Sequence, residues 1–350
     1  MSDFPARFRE AIGSGTTLIE APGTGDTVMT FARSVAVGLS ASPKWLHCRF
    51  LYDAEGSRLF EGITEQPEYY PTRTEAAILS KHADEIREIT GPVTLVELGS
   101  GYSVKTEYLL AAYSKSGGQV RYVPVDVSVS ALREANRSIA ESFSDVRFTG
   151  INGTYASAFP VFRQLSPQMV VFLGSTIGNF NQAETTAFWR SVAGHLPVGD
   201  FFLLGVDLVK DVDVLEAAYN DAVGVTARFT NNYFARINRE LGAEIDVDQI
   251  EHVAVWNAER SRMEISARFH SAQQIYVEPL DVTFEISLGE QILLEISRKY
   301  RLPELTDELT RYGFDVRRTF TDEREWFALL LLERVDDADM VRALSPATGR

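Results

Sequence analysis

The chain has 350 residues, a formal net charge of −15 and a single cysteine. So acidic a chain offers no basic face to a nucleic acid, and no apolar run approaches the ~20 residues that cross a membrane. Cys48 cannot form an internal disulfide, so a cytosolic protein is expected; no charged-then-apolar leader is seen, and a monomer of one large or two smaller domains is expected.

Residues 1–30 carry Gly13, Gly15, Gly23 and Gly25 and read as a loose arm with at most a short helix. Residues 28–38 are helix-like and end at S-A-S-P. Leu59, Phe60 and Ile63 mark the next helix, with Ser57 as a candidate cap. Residues 67–75, P-E-Y-Y-P-T-R-T-E, then place two prolines around two tyrosines, which predicts a rigid, extended connector. Thr74 is expected to cap a helix running to about residue 88.

From residue 93 strand and helix alternate. Strands are expected at 93–98, 120–127, 146–151, 169–175 and 201–207. Helices are expected at 105–113, at 130–143 (capped by Ser128 or Ser130) and at 183–195. Such alternation predicts an α/β fold with a parallel sheet covered on both faces. Ligands in these sheets lie beyond the strand C-termini. Glu97, Asp126, Gly174 and Asp207 fall on that edge. Helices at 214–229 and 231–239 follow, and strands recur between 252 and 299, as an insertion with its own antiparallel or mixed character. A helix at 305–312, with Gly313 as its C′ residue, leads into strands at 314–320 and 326–333. Residues 336–350 read as a frayed tail.

The chemistry centres on L-V-E-L-G-S-G-Y-S-V-K, residues 95–105. An apolar strand stops at an acid and two glycines, and a helix begins. Gly99 and Gly101 permit a tight turn and close approach to a ligand. The following helix N-terminus presents free N–H groups to a carboxylate or phosphate. A dinucleotide fingerprint would put a third glycine where Val104 stands. That residue, and the lack of a His–Asp hydride-transfer pair, argue against a nicotinamide dehydrogenase. Asp126, at the tip of the second strand, suits a ribose diol. Glu97 and Asp126 would together edge one pocket. An acidic rim fits a cofactor with positive charge and no phosphate, and S-adenosylmethionine (SAM) meets that description.

Four stretches carry a resemblance. These are Y-D-A-E-G-S-R-L-F-E-G-I-T-E-Q-P-E-Y-Y-P-T-R-T-E, V-E-L-G-S-G-Y-S-V-K-T, F-L-G-S-T-I-G-N-F and L-L-G-V-D-L-V-K-D. Over about residues 20–335 the chain resembles the L-histidine Nα-methyltransferases of ergothioneine biosynthesis, which trimethylate the α-amine of histidine to hercynine. The resemblance implies a Rossmann-like class I SAM-dependent methyltransferase sheet with an inserted α+β substrate-binding domain. The implied division gives residues 74–208 and 300–350 to the methyltransferase domain, and 20–73 and 209–299 to the substrate-binding domain.

It also implies roles. Gly99, Lys105 and Asp126 resemble SAM contacts, Lys105 facing the methionine carboxylate. Tyr69 resembles the tyrosine lining the histidine pocket, Asn179 and Tyr219 the pair on the substrate carboxylate, Glu295 and Ser297 the pair reading the imidazole, and Tyr52 the tyrosine near the amine. Where the family has an acid near the adenine this chain has N-G-T-Y, so Thr154, Tyr155 or Asn152 is expected there. Ile265 stands where the family often has methionine. The other readings are an N-methyltransferase of another amino acid, such as tryptophan, and a non-catalytic SAM-binding module. Neither a metal nor a nucleic-acid or membrane partner is expected.

Overall fold

A computed structural model describes residues 4–22, 28–115 and 117–336. Its centre is a nine-stranded sheet. The run Thr94–Leu98, Val120–Asp126 and Gly150–Asn152 spreads to one side of the first strand, and Gln168–Phe172 and Phe201–Asp207 to the other, all parallel. Val146–Phe148 pairs separately along Val120–Asp126. The far edge is a hairpin, Phe314–Thr321 and Phe327–Arg334, whose second strand runs antiparallel to Phe201–Asp207.

Composition explains the layout. Thr94–Leu98 and Gln168–Phe172 are buried at every position, as strands covered on both faces must be. One face packs Val96, Val123, Val170 and Phe202 against Phe188 and Trp189 of the helix Gln182–His195. The other packs Leu95, Tyr122, Met169 and Leu203 against Ile78, Leu79 and Ile86 of the helix Tyr70–Thr90.

A third core lies apart from the sheet. It joins Phe31, Val35 and Leu39 of the helix Val28–Leu39 to Phe229, Tyr233, Phe234 and Ile237 of Val225–Leu241. Met263, Ala267 and Ile292 come from a three-stranded antiparallel sheet of Ile250–Asn257, Arg262–Phe269 and Gln291–Arg298. The amino-terminal part is stitched to this sheet by the backbone. Leu46 N–H donates to Leu293 O at 2.8 Å and Leu293 N–H to Lys44 O at 3.2 Å.

The structure departs from the sequence reading in several places. Residues 4–20 are not loose within the described stretch. Phe4–Ser14 is helical and buries Phe4, Phe8 and Ala11 on the sheet, and Leu18–Glu20 pairs with Gly150–Asn152. The glycines follow the apolar face instead of interrupting it. The connector is shorter than expected, because the helix begins at Tyr70 with Pro71 in its first turn. A proline there lacks only an N–H that would be unpaired anyway. Thr74 is therefore interior, and Asp53, not Ser57, caps the preceding helix by accepting from Gly56 N–H at 2.7 Å. Ser128 is the cap of Val129–Ser142. Gly224, in left-handed backbone, separates Val212–Ala218 from a single long helix, Val225–Leu241. Residues 23–27 and 337–350, including Gly23, Gly25 and nearly all of the expected tail, lie outside the described residues.

Gly205 shows how tightly the sheet edge is built. A Cβ there would overlap Oε1 of the fully buried Glu75. That carboxylate cannot swing aside, because Gly174 N–H donates to both of its oxygens, at 2.8 and 2.9 Å, and Lys105 pairs with it. Gly205→Ala is expected to destabilise the protein by about 1–3 kcal/mol, the usual cost of overpacking. Thermal melting checks this; an unchanged midpoint would contradict the packing described.

Candidate active site

The glycine turn closes the first strand. Gly99, Gly101 and Ser103 all have positive φ, at 70°, 50° and 60°. Gly99 N–H donates to Val125 O at 2.8 Å, tying the turn to the neighbouring strand. Asp126, at the tip of that strand, accepts from Gly101 N–H and Ser128 N–H, each at 2.8 Å. Burial nevertheless raises its carboxyl above the ordinary value. Tyr155 lies across Gly99: its phenol oxygen would be 2.9 Å from a Cβ at that position. The Tyr155 ring packs edge-on against Phe172, with centroids 5.3 Å apart. Space is open where a Cβ of Gly101 would project, and the buried Ser100 hydroxyl has no hydrogen-bond partner. An open bend, an acid on the second strand, an orphaned hydroxyl and an aromatic wall fit a nucleoside with a charged side arm.

Two expected pocket residues are placed differently. Glu97 does not edge the pocket. It is buried beneath the turn, where Thr106 donates to Oε1 at 2.6 Å and Tyr122 to Oε2. Burial pushes its carboxyl up to about 7. Asn152 spends its amide N–H groups on Asp126 O and Val127 O, at 3.1 and 2.9 Å. Of that loop, Tyr155 is the side chain placed at the bend; Thr154 is the N-cap residue of Tyr155–Ala158. Lys105 is paired with Glu75, so its charge is anchored before any ligand arrives.

The second half of the site meets the first at the turn Thr176–Asn179. Gly178 allows this: a Cβ there would lie 2.9 Å from Arg298 O. The strand Gln291–Arg298 can therefore press onto the turn. A bulge between Leu293 and Glu295 changes the strand's register, and bulges re-aim side chains. The half-buried Glu295 then lies within electrostatic reach of the Asn179 amide. Burial pushes its carboxyl up to about 7, against the pull of Lys299 and Asn179.

An aromatic row forms the wall. Tyr52 meets Phe60 edge-on at 5.4 Å, Phe60 meets Tyr69 at 6.2 Å, and Tyr69 meets Tyr219 at 6.2 Å. The Tyr52 phenol is held well above its ordinary value by burial, with Glu295, Cys48, Tyr69 and Tyr155 adding to the effect. Those neighbours span both halves of the site.

Beneath the wall lies a chain of polar groups. Tyr219 donates to Ser297 Oγ at 2.8 Å. Lys299 donates to Tyr219 and to Ser297, each at 2.8 Å, and pairs with Asp207 at 2.7 Å. Asp207 also receives Tyr70, at 2.9 and 2.8 Å, and Lys210 at 2.5 Å. Burial lowers Lys210 to about 8 despite that partner. Sequence reasoning did not single out Glu75, Lys210 or Lys299, and treated Asp207 as an edge residue. One signal was available: in an extended strand Glu295, Ser297 and Lys299 share a face. Among the described residues no cluster of His, Cys, Asp and Glu suits a metal ion, and no helix is long and apolar enough to cross a membrane.

Strand order, glycine bend and acid tip together define a Rossmann-like, class I SAM-dependent methyltransferase. The family profile described as histidine-specific, SAM-dependent methyltransferase matches residues 31–334, and the chain belongs to that family. It is 42% identical over 302 residues to a histidine N-alpha-methyltransferase of Mycolicibacterium smegmatis, covering 86% of this chain and 94% of that one. It is 35% identical over 207 residues to ergothioneine biosynthesis protein 1 of Neurospora crassa, covering 57% of this chain and 23% of that protein. It is also 28% identical over 309 residues to a 4-dimethylallyltryptophan N-methyltransferase of Epichloe festucae var. lolii, covering 82% and 90%.

Proposed function

We propose that the protein transfers methyl groups from SAM to the α-amine of L-histidine, three in succession, giving hercynine on the route to ergothioneine. The observation that carries this reading is the meeting of Glu295, Asn179, Ser297, Tyr219 and Tyr69 around one wall that also holds Tyr52. An acceptor and a hydroxyl then stand ready for an imidazole, and an amide and a phenol for a carboxylate. Residues 20–73 and 209–299, which contain most of the separate third core, form the substrate-binding part in this reading. Residues 74–208 and 300–350 form the methyltransferase part. The protein acts in the cytoplasm as a monomer.

SAM supplies an electrophilic methyl on a sulfonium. What this chain contributes is alignment, because an in-line displacement needs nucleophile, methyl and leaving sulfur held in one line. Asp126 would hold the ribose, Gly99 and Gly101 give the backbone its close approach, and Thr154 and Tyr155 flank the base. Lys105, steadied by Glu75, faces the methionine carboxylate. Asn179 offers its amide N–H groups to the histidine carboxylate. Tyr219 joins it by turning its O–H from Ser297 while keeping Lys299 on its oxygen.

Tyr52 orients the amine. Its raised phenol stays protonated near neutral pH, so it serves as a hydrogen-bond partner and not as a base. An α-amine titrates near ~8 and sheds its own proton to water. Tyr52→Phe is therefore expected to slow turnover about tenfold through lost alignment and to spare histidine affinity. Steady-state kinetics with calorimetry separates the two effects; a large affinity loss at normal turnover would contradict the role.

A panel of free amino acids incubated with SAM tests the function as a whole. Release of S-adenosylhomocysteine is expected with histidine. Release with tryptophan instead would favour another amino-acid methyltransferase, and binding without release a non-catalytic module.

A further inference from the structure

The geometry points to Lys299 as a positioning residue that fixes Ser297 as a hydrogen-bond donor, so that the pocket takes the imidazole of histidine in its neutral form. This rests on the proposed reading of Glu295 and Ser297 as the imidazole contacts. The argument is a count of protons and lone pairs. A lysine ammonium has three N–H donors and no acceptor. Lys299 donates to Tyr219 and to Ser297, each at 2.8 Å, and its ammonium is paired with Asp207 at 2.7 Å. The group is buried.

Each hydroxyl therefore has an acceptor position filled. Ser297 also receives the Tyr219 proton. A hydroxyl has two lone pairs and one proton, so while Tyr219 donates to it Ser297 has only its own O–H left to offer, and once Tyr219 turns to the substrate the Ser297 proton still needs an acceptor. The phenol oxygen of Tyr219 conjugates one pair into its ring, and Lys299 occupies its good acceptor position. It cannot take the Ser297 proton, even when its own O–H turns to the substrate. The Ser297 proton thus faces the ligand.

Glu295, two residues earlier on the same strand face, offers a carboxyl oxygen as acceptor in either protonation state. A ring gripped by both must present one N–H and one bare nitrogen. Neutral imidazole does so. Imidazolium has no lone pair, and its charge would lie beside Lys299. Indole has an N–H but no second nitrogen. Lys299 in this way sets ring selectivity without touching the ring.

Lys299→Met tests the role, since Asp207 keeps Lys210 and Tyr70 as partners. Calorimetry is run with S-adenosylhomocysteine present, using L-histidine and β-thienylalanine, whose ring lacks both nitrogens. Histidine affinity should fall about tenfold, the scale of one hydrogen bond to a charged group, and the affinity of thienylalanine, which keeps only the shared carboxylate contact through Tyr219, by clearly less. Ser297→Ala should lose a similar factor, and the double variant no more than either alone. Equal losses for both ligands, or additive losses in the double variant, would overturn the proposal.

Nitrogen NMR of ring-labelled histidine bound to the unaltered protein needs no variant. About one pH unit below the ordinary histidine value of ~6.5, one ring nitrogen should remain unprotonated. Two protonated nitrogens would overturn the inference and leave the histidine reading intact. Failure of the unaltered protein to bind histidine would instead sink that reading.

Discussion

Glu295→Ala is expected to weaken histidine binding by about 2 kcal/mol or more, the scale of a lost charge-assisted contact. The carboxylate sits where the bulged strand meets the turn Thr176–Asn179. Alanine removes the only acidic acceptor proposed for the ring N–H. The loss should appear in histidine affinity and not in affinity for S-adenosylhomocysteine, because Glu295 belongs to the proposed substrate half of the site. Calorimetry with each ligand separates these outcomes. An unchanged histidine affinity would end the assignment of Glu295.

Asp207→Ala should have the largest effect on stability. The side chain is fully buried and faces Lys299, Lys210 and Tyr70. Removing one partner of a buried ion pair leaves uncompensated charge, which costs about 3–5 kcal/mol. Here two ammonium groups lose their shared counter-charge. Lys210 is already lowered to about 8 with Asp207 in place, so it would shed its proton or draw in water. Urea unfolding should show a lower midpoint with an unchanged slope. A loss below about 1 kcal/mol would show that the two lysines find other partners.

Much of the fold was legible because its strands carry their own signature. M-V-V-F and F-F-L-L are short apolar runs, and both became buried central strands. The amino-terminal helix was not, because glycines at its end masked the spacing of Phe4, Phe8 and Ala11. Pro71 misled for a related reason: a proline reads alike as a break or as a first helical turn. Glu97 shows a sharper limit. Its place beside the glycines suggested the pocket rim, but Tyr122 and Thr106 draw it under the turn.

The site was legible in another way. Glycine bend and acid tip followed from strand chemistry, whereas Tyr69, Asn179, Tyr219, Glu295 and Ser297 rested on family resemblance. Most of the pairings that hold them in place left no local signal. Glu75 meets Lys105 from 30 residues away and Gly174 from 99, while Tyr70 meets Asp207 from 137. No local pattern reports such pairings, since only the folded sheet brings them together. Lys299 shares a strand face with Ser297, but its other partners, Asp207 and Tyr219, come from a distant strand and the loop after a helix.

Mass spectrometry of L-histidine incubated with the protein and SAM tests the central claim most directly. Mono- and dimethylated histidine should appear first and give way to the Nα-trimethylated product, with the ring nitrogens unmethylated. Histidine recovered without any added methyl group, or carrying it on the ring, would contradict the account.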